Sequence, residues 1–164
     1  YFFAALSIVL SGSTIGFLLW NKPPARIYMG DAGALFLGVL IATLTLRFNP
    51  NPIDRFSSFA IPVLLLAVPI LDTTVAVLSR LRRKISPFQG GQDHLSHRLI
   101  RAGLRKQPAV LILWFSSVTF SFIALAVSSV SFSQERLITM GALIVWCIAL
   151  FYFLTTNDEA EVEK

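Results

Sequence analysis

Three places in the sequence hold residues that could do chemistry. The first is Ile27–Gly38, IYMGDAGALFLG, where Gly30 and Gly33 bracket Asp31 and an apolar run without another charge reaches Leu46. An aspartate at the start of an apolar helix sits among free backbone N–H groups at the positive end of the helix dipole. Two readings stay open on these residues alone: a helix N-cap, or a carboxylate ligand to a hard cation that carries phosphates. The second place is Asp72, inside the apolar stretch Phe59–Leu78. About eight residues from the cytoplasmic end of its helix, an aspartate costs up to roughly 2.5–3.5 kcal/mol to insert, so it needs a partner or a polar cavity. A buried hydrogen bond to Thr73 or Thr74 would satisfy it, and a direct part in catalysis is the alternative. The third place is QDHLSHRL, where His94 and His97 stand three apart and share a face on a short helix. Two histidines without a nearby cysteine or third ligand make a poor zinc site. They and Arg98 form either a phosphate-contacting group or a solvated loop.

Apolar segments must position these residues. Fifty-five per cent of the 164 residues are hydrophobic and only 14% are charged, well under the quarter typical of soluble domains. Phe2–Trp20, Gly33–Leu46, Phe59–Leu78, Val110–Val130 and Leu137–Leu154 read as five membrane spans. The second is short for a full crossing, which suits a start inside a protein-lined cavity or a small tilt. Pro62 and Pro69 should kink the third. Arg47–Ser57 and Ser131–Arg136 read as loops, and Arg80–Gln107 as a large polar loop containing Gly90-Gly91 and both histidines. The predicted fold is an all-α, polytopic integral membrane protein: a single transmembrane domain over 1–154 and an acidic disordered tail over 155–164.

The net charge is +5, and eight of the fourteen Lys and Arg lie between Arg80 and Lys106. A basic loop beside apolar helices is a cytoplasmic-loop signature, not a nucleic-acid surface. Alternation then puts Asn21–Ala32 on the same side, so Asp31 and the histidine loop share the cytoplasmic face. Arg82, Arg83 and Lys84 are expected to anchor the loop to anionic headgroups at about 1 kcal/mol each. The single cysteine, Cys147, excludes an intrachain disulfide. Gly12 and Gly16 form a small-xxx-small pair suited to close helix packing, within the chain or in a homodimer. Tyr1 opens directly on an apolar helix, so the chain is expected to begin within a longer protein.

MGDAG before an apolar helix, the longer run PPARIYMGD, the stretch PILDT and the run DHLSHRLIRAG occur in order between Pro23 and Gly103. Together they resemble the signature of the polyprenyl-phosphate N-acetylhexosamine-1-phosphate transferases, glycosyltransferase family 4, integral membrane enzymes that initiate lipid-linked cell-envelope glycans. The resemblance implies transfer of a sugar-1-phosphate from a UDP-N-acetylhexosamine to a polyprenyl phosphate, with release of UMP, at the cytoplasmic face of the inner (plasma) membrane. It implies that Asp31 holds Mg²⁺, for which Mn²⁺ could substitute. Gly30 and Gly33 would let backbone approach the phosphates. Asn21 would lie near the nucleotide and Tyr28 would stack on the uracil, although a helix C-cap and an interfacial tyrosine describe these two equally well. His94, His97 and Arg98 would contact donor phosphates. Ala34 stands where a Ser is often found, and Ser96 where many members have a further His. The family's Asp-Asp motif has no match here, so the resemblance covers the C-terminal half of such an enzyme. That part would be incomplete for catalysis, with its nucleophile-activating residue outside this chain. The competing reading is a non-catalytic membrane scaffold or a degenerate relative.

Overall fold

The computed structural model describes residues 1–22, 24–47, 55–88 and 91–155. It is helical throughout, with no strand among the described residues: α1 Phe2–Asn21, α2 Gly30–Arg47, α3 Arg55–Leu65, α4 Ala67–Arg82, α5 Leu95–Arg101, α6 Lys106–Val127 and α7 Phe132–Thr155. Four of these are long and apolar enough to cross a membrane, and the bent pair α3–α4 makes a fifth if it forms one span. The protein is therefore a multi-pass membrane protein. The chain divides into two compact units, Tyr1–Asn49 and Pro50–Lys164. The acidic tail expected beyond Thr155, Pro23 and Gly90 fall outside the described residues.

In the first unit, α1 buries none of its residues. A helix apolar all round suits lipid or protein neighbours on every side. α2 begins at Gly30, three residues before the expected start, and ends at Arg47. Gly30 has φ +67°, a left-handed turn that a side chain disfavours, and the chain enters the helix at once. The resulting 18 residues are long enough for a span, which removes the expected shortness.

The second unit is built around the break between α3 and α4, whose axes differ by 72°. Pro69 explains its position. Its ring clashes with the carbonyl four residues back, Leu65, and it has no N–H to offer that carbonyl. The helix accordingly stops at Leu65 and restarts at Ala67. Pro62 lies inside α3 without ending it. Ile61 and Leu64 of α3 pack with Ala124 and Val127 of α6 and Ala142 of α7. Leu71 and Val75 of α4 pack with Leu95 of α5, against Leu113, Trp146 and Leu150. Trp146 donates its indole N–H to the Ala67 carbonyl at 2.9 Å, which ties α7 to the restart of α4.

Ser131–Arg136 is a loop only in its first residue. α7 starts at Phe132, where the Gln134 side chain turns back onto Ser131. The Ser131 hydroxyl lies 2.9 Å from Gln134 Oε1, and the Ser131 N–H donates to the same oxygen at 3.4 Å.

The polar stretch after α4 is ordered at both its helix ends. Lys84 takes φ 58°; its N–H donates to the Leu81 carbonyl at 3.0 Å and the Ile85 N–H to the Arg80 carbonyl at 2.9 Å. This is a Schellman cap with a lysine in the left-handed position. Gly103, φ +98°, closes α5 the same way, through Gly103 N–H to Ile100 and Leu104 N–H to Leu99.

Candidate active site

Asp31 lies in the first helical turn of α2, inside the helix and not at its N-cap. It is exposed and makes no hydrogen bond or ion pair among the described residues, so its oxygens are open to a ligand. Asn21 ends α1, and its side-chain amide donates to the Ile27 carbonyl at 2.9 Å, which closes the 22–29 loop. Tyr28 is 83% exposed. Gly33 leaves room for Met29, whose Cγ would lie 2.6 Å from an added Cβ. Arg26 stacks its guanidinium over Trp20, 5.7 Å from the ring centroid.

The second unit brings Asp72 and the histidine loop together. Asp72 Oδ2 lies 2.7 Å from His94 Nδ1, and Asp72 Oδ1 accepts the Leu95 backbone N–H at 2.7 Å. The expected threonine partners are otherwise engaged: Thr73 and Thr74 donate to the carbonyls of Pro69 and Ile70, their own preceding turn. The burial cost of Asp72 is thus met from the loop. His94 is the N-cap residue of α5 and its side chain makes no cap bond to that helix; Asp72 supplies the bond from α4 instead. His97 lies on α5 and is exposed. Asp72, His94, Ser96 and His97 line one recess of about 440 Å³, floored by Val68, Pro69, Leu113 and Ser117.

Arg98 is 2% exposed. Its Nε donates to the Asp93 carbonyl at 3.0 Å and its Nη1 to the Phe153 carbonyl. These bonds brace α5 against α7. An open bidentate clamp on phosphate, the geometry expected for Arg98, would need those same nitrogens.

Asp93 was not among the expected site residues, yet it organises the loop. It is 6% exposed and takes Arg80 Nε on Oδ2 at 2.8 Å and Arg83 Nη2 on Oδ1. Arg80 also donates to the Pro87 carbonyl at 2.7 Å. Burial pushes the Asp93 carboxyl pKa up, but the hydrogen bonds and charges of Arg80 and Arg83 outweigh it and hold the pKa below the ordinary 3.8. Gly91 makes this packing possible: an added Cβ would stand 2.7 Å from Asp93 Oδ2. Arg83 and Arg82, expected at lipid headgroups, are exposed and also bond to Asp93 and to the Leu154 carbonyl. One signal was available in the sequence. Asp93 is the sole acidic residue between Arg80 and Lys106.

Among the described residues no three His, Cys, Asp or Glu side chains gather as a metal site. One open carboxylate is nevertheless a chemical fit to Mg²⁺, which often takes one or two carboxylates and fills its remaining positions with phosphate oxygens and water.

Fold and site define a helical multi-pass membrane protein with an open aspartate at the head of one helix and an aspartate–histidine pair in a loop recess. Residues 1–49 match the family model described as glycosyl transferase family 4. The chain is 35% identical over 147 residues to the probable undecaprenyl-phosphate N-acetylglucosaminyl 1-phosphate transferase of Bacillus subtilis, an alignment covering 90% of this chain and 39% of that protein. It is 32% identical over 172 aligned residues to the decaprenyl-phosphate N-acetylglucosaminephosphotransferase of Mycobacterium tuberculosis, covering 95% and 41%. With the undecaprenyl-phosphate alpha-N-acetylglucosaminyl 1-phosphate transferase of Haemophilus influenzae it shares 26% over 153 residues, covering 88% and 42%. No solved structure matches. The chain is similar in sequence to these polyprenyl-phosphate N-acetylglucosamine-phosphate transferases, the likeness its motifs indicated. It spans about two fifths of the length of these curated relatives.

Proposed function

We propose that this chain is part of an enzyme that transfers N-acetylhexosamine-1-phosphate from a UDP-sugar to a polyprenyl phosphate, releases UMP and initiates a cell-envelope glycan at the cytoplasmic face of the plasma membrane. The observation that carries the reading is the likeness to the Bacillus subtilis transferase across 90% of the chain. The open carboxylate of Asp31 and the recess shared by His94 and His97 give that likeness a chemistry.

Asp31 would hold Mg²⁺ together with the donor diphosphate. Bound there, the ion supplies charge neutralisation to phosphates that repel one another. The first turn of α2, bracketed by Gly30 and Gly33, would let backbone N–H groups meet phosphate oxygens. Tyr28, exposed beside it, offers a face for the uracil. His94 and His97 line one recess that a phosphate group can enter. Arg98 serves by bracing the short helix that presents them. Phosphoryl transfer depends on positioning and charge more than on covalent chemistry by the protein, and each of these groups contributes to one or the other.

Asp31→Asn in the full-length enzyme tests the reading. Asparagine is a much poorer Mg²⁺ ligand than aspartate but is well tolerated in a first helical turn. UMP release should fall by about 10²-fold or more, the size expected when an electrostatic stabiliser is lost, with membrane insertion unchanged. Near-normal turnover at saturating Mg²⁺ would remove Asp31 from the site.

A further inference from the structure

The pair formed by Asp72 and His94 dictates which ring nitrogen carries the proton. An ionised carboxylate only accepts hydrogen bonds. Asp72 Oδ1 takes the Leu95 N–H, so Oδ2, at 2.7 Å from His94 Nδ1, must receive a hydrogen from that nitrogen. The neutral ring is then the Nδ1–H tautomer, and Nε2 keeps its lone pair. His94 is 47% exposed at the side chain and lines the 440 Å³ recess with His97 and Ser96. A lone pair there meets a fully ionised phosphate oxygen unfavourably. It meets a singly protonated phosphate favourably, through the acidic P–O–H.

We infer that Asp72 is a positioning residue for His94, setting Nε2 as the acceptor of the acidic proton of a phosphate monoester. This rests on the transferase reading. The proton passes from the acceptor phosphate to Nε2, so an O–H bond breaks and an N–H bond forms. The ring becomes an imidazolium whose charge lies against the Asp72 carboxylate. The freed phosphate oxygen keeps the electron pair and attacks the donor phosphorus, and the bond from that phosphorus to UMP breaks, its electrons leaving with UMP. The ring afterwards returns its proton to water. Asp72 has a second task, since its bond to the Leu95 N–H holds the start of α5. Substitution must therefore separate the two tasks.

Asp72→Asn does so. The asparagine oxygen can still cap the Leu95 N–H, while its amide group donates to Nδ1 and drives the ring to the opposite tautomer. In the full-length enzyme kcat should fall by about 10²-fold or more, as expected for a general base and for a histidine held in the wrong tautomer. KM for the UDP-sugar should stay within about threefold. Asp72→Asn combined with His94→Gln should be no slower than His94→Gln alone, because the two residues act as a unit. Independently of activity, ¹⁵N spectra of histidine-labelled enzyme in nanodiscs should show the His94 proton on Nδ1, the signal being identified by its loss in His94→Gln. A proton on Nε2 of the unaltered protein overturns the inference whatever the variants do. So does wild-type kcat in Asp72→Asn when His94→Gln is slow. Wild-type kcat in His94→Gln would likewise overturn the inference, whereas failure of the unaltered full-length enzyme to release UMP from a UDP-N-acetylhexosamine with polyprenyl phosphate would sink the transferase reading itself.

Discussion

Asp93 is where a single carboxylate decides the order of a whole loop. Its folded pKa is depressed, so its contribution is fully present above the ordinary aspartate range near 3.8 and is lost as pH falls below it, through the folded value. The loop should therefore keep its structure from neutral pH down to about 4 and loosen in stronger acid, a transition that hydrogen exchange at Ile85 and Leu104 would follow. Asp93→Asn leaves Arg80, 8% exposed, without its counter-charge. Breaking a buried pair by removing one partner costs about 3–5 kcal/mol. The variant should be markedly less heat-stable than the unaltered protein, and an unchanged midpoint of thermal unfolding would refute the clamp. The motif at 93–98 was legible in the sequence, but the division of labour within it was not. Arg98 and His97 look alike as cationic candidates in a linear reading. Folding buries one against the carbonyls of Asp93 and Phe153 and leaves the other exposed.

At the scale of elements, apolar runs announced the spans and the helix ends went unread. The third span was expected to kink, but proline spacing alone does not say which of two prolines breaks a helix. Pro69, three residues into the restarted helix, does so; Pro62 is accommodated. The start of α7 was placed five residues late because Glu135 and Arg136 look like loop residues. The Gln134 side chain folds back onto Ser131, the helix begins there, and Glu135 ends up 3% exposed. Gln134→Ala removes the acceptor of the Ser131 N–H and should cost about 0.5–1.5 kcal/mol, seen as a lower thermal midpoint. Gln134→Glu, which keeps an acceptor there, should retain it. The short helix at the histidines was expected, but its start is capped by Asp72 from α4, a contact 23 positions away that no local signal announces.

For the molecule as a whole, composition alone pointed to a membrane, and charge predicts a cytoplasmic 80–106 loop by the positive-inside rule. The orientation is tested by Ser86→Cys, an exposed position of that loop. Together with Cys147→Ser, it should give a protein that impermeant thiol reagents leave unlabelled in intact cells and label once the membrane is opened. Labelling in intact cells would reverse the orientation and put both site segments on the wrong side for a nucleotide sugar. Hydropathy could not show that Arg80 and Arg98 are buried or that exposed Arg82 and Arg83 also bond within the protein. Arg80, Arg82, Arg83 and Arg98 all bond to groups of the protein itself, so sequence charge overstates the positive surface that lipid or substrate meets.

The two left-handed helix ends invite a comparison across generations of the sequence. Gly103 occupies its position without strain, whereas Lys84 holds φ 58° against a cost of roughly 1–2 kcal/mol for an L-residue. Mutation toward glycine is the easy way to shed that cost, less the 0.5–1 kcal/mol or so of extra chain entropy that glycine loses on folding. Lys84→Gly should accordingly leave the protein as stable or up to about 1 kcal/mol more stable. If it does, and if turnover or membrane association falls at the same time, the lysine is retained for its charge at the end of α4 and the discomfort of its backbone is what that charge costs. A loss of stability would show instead that the lysine side chain itself holds the turn.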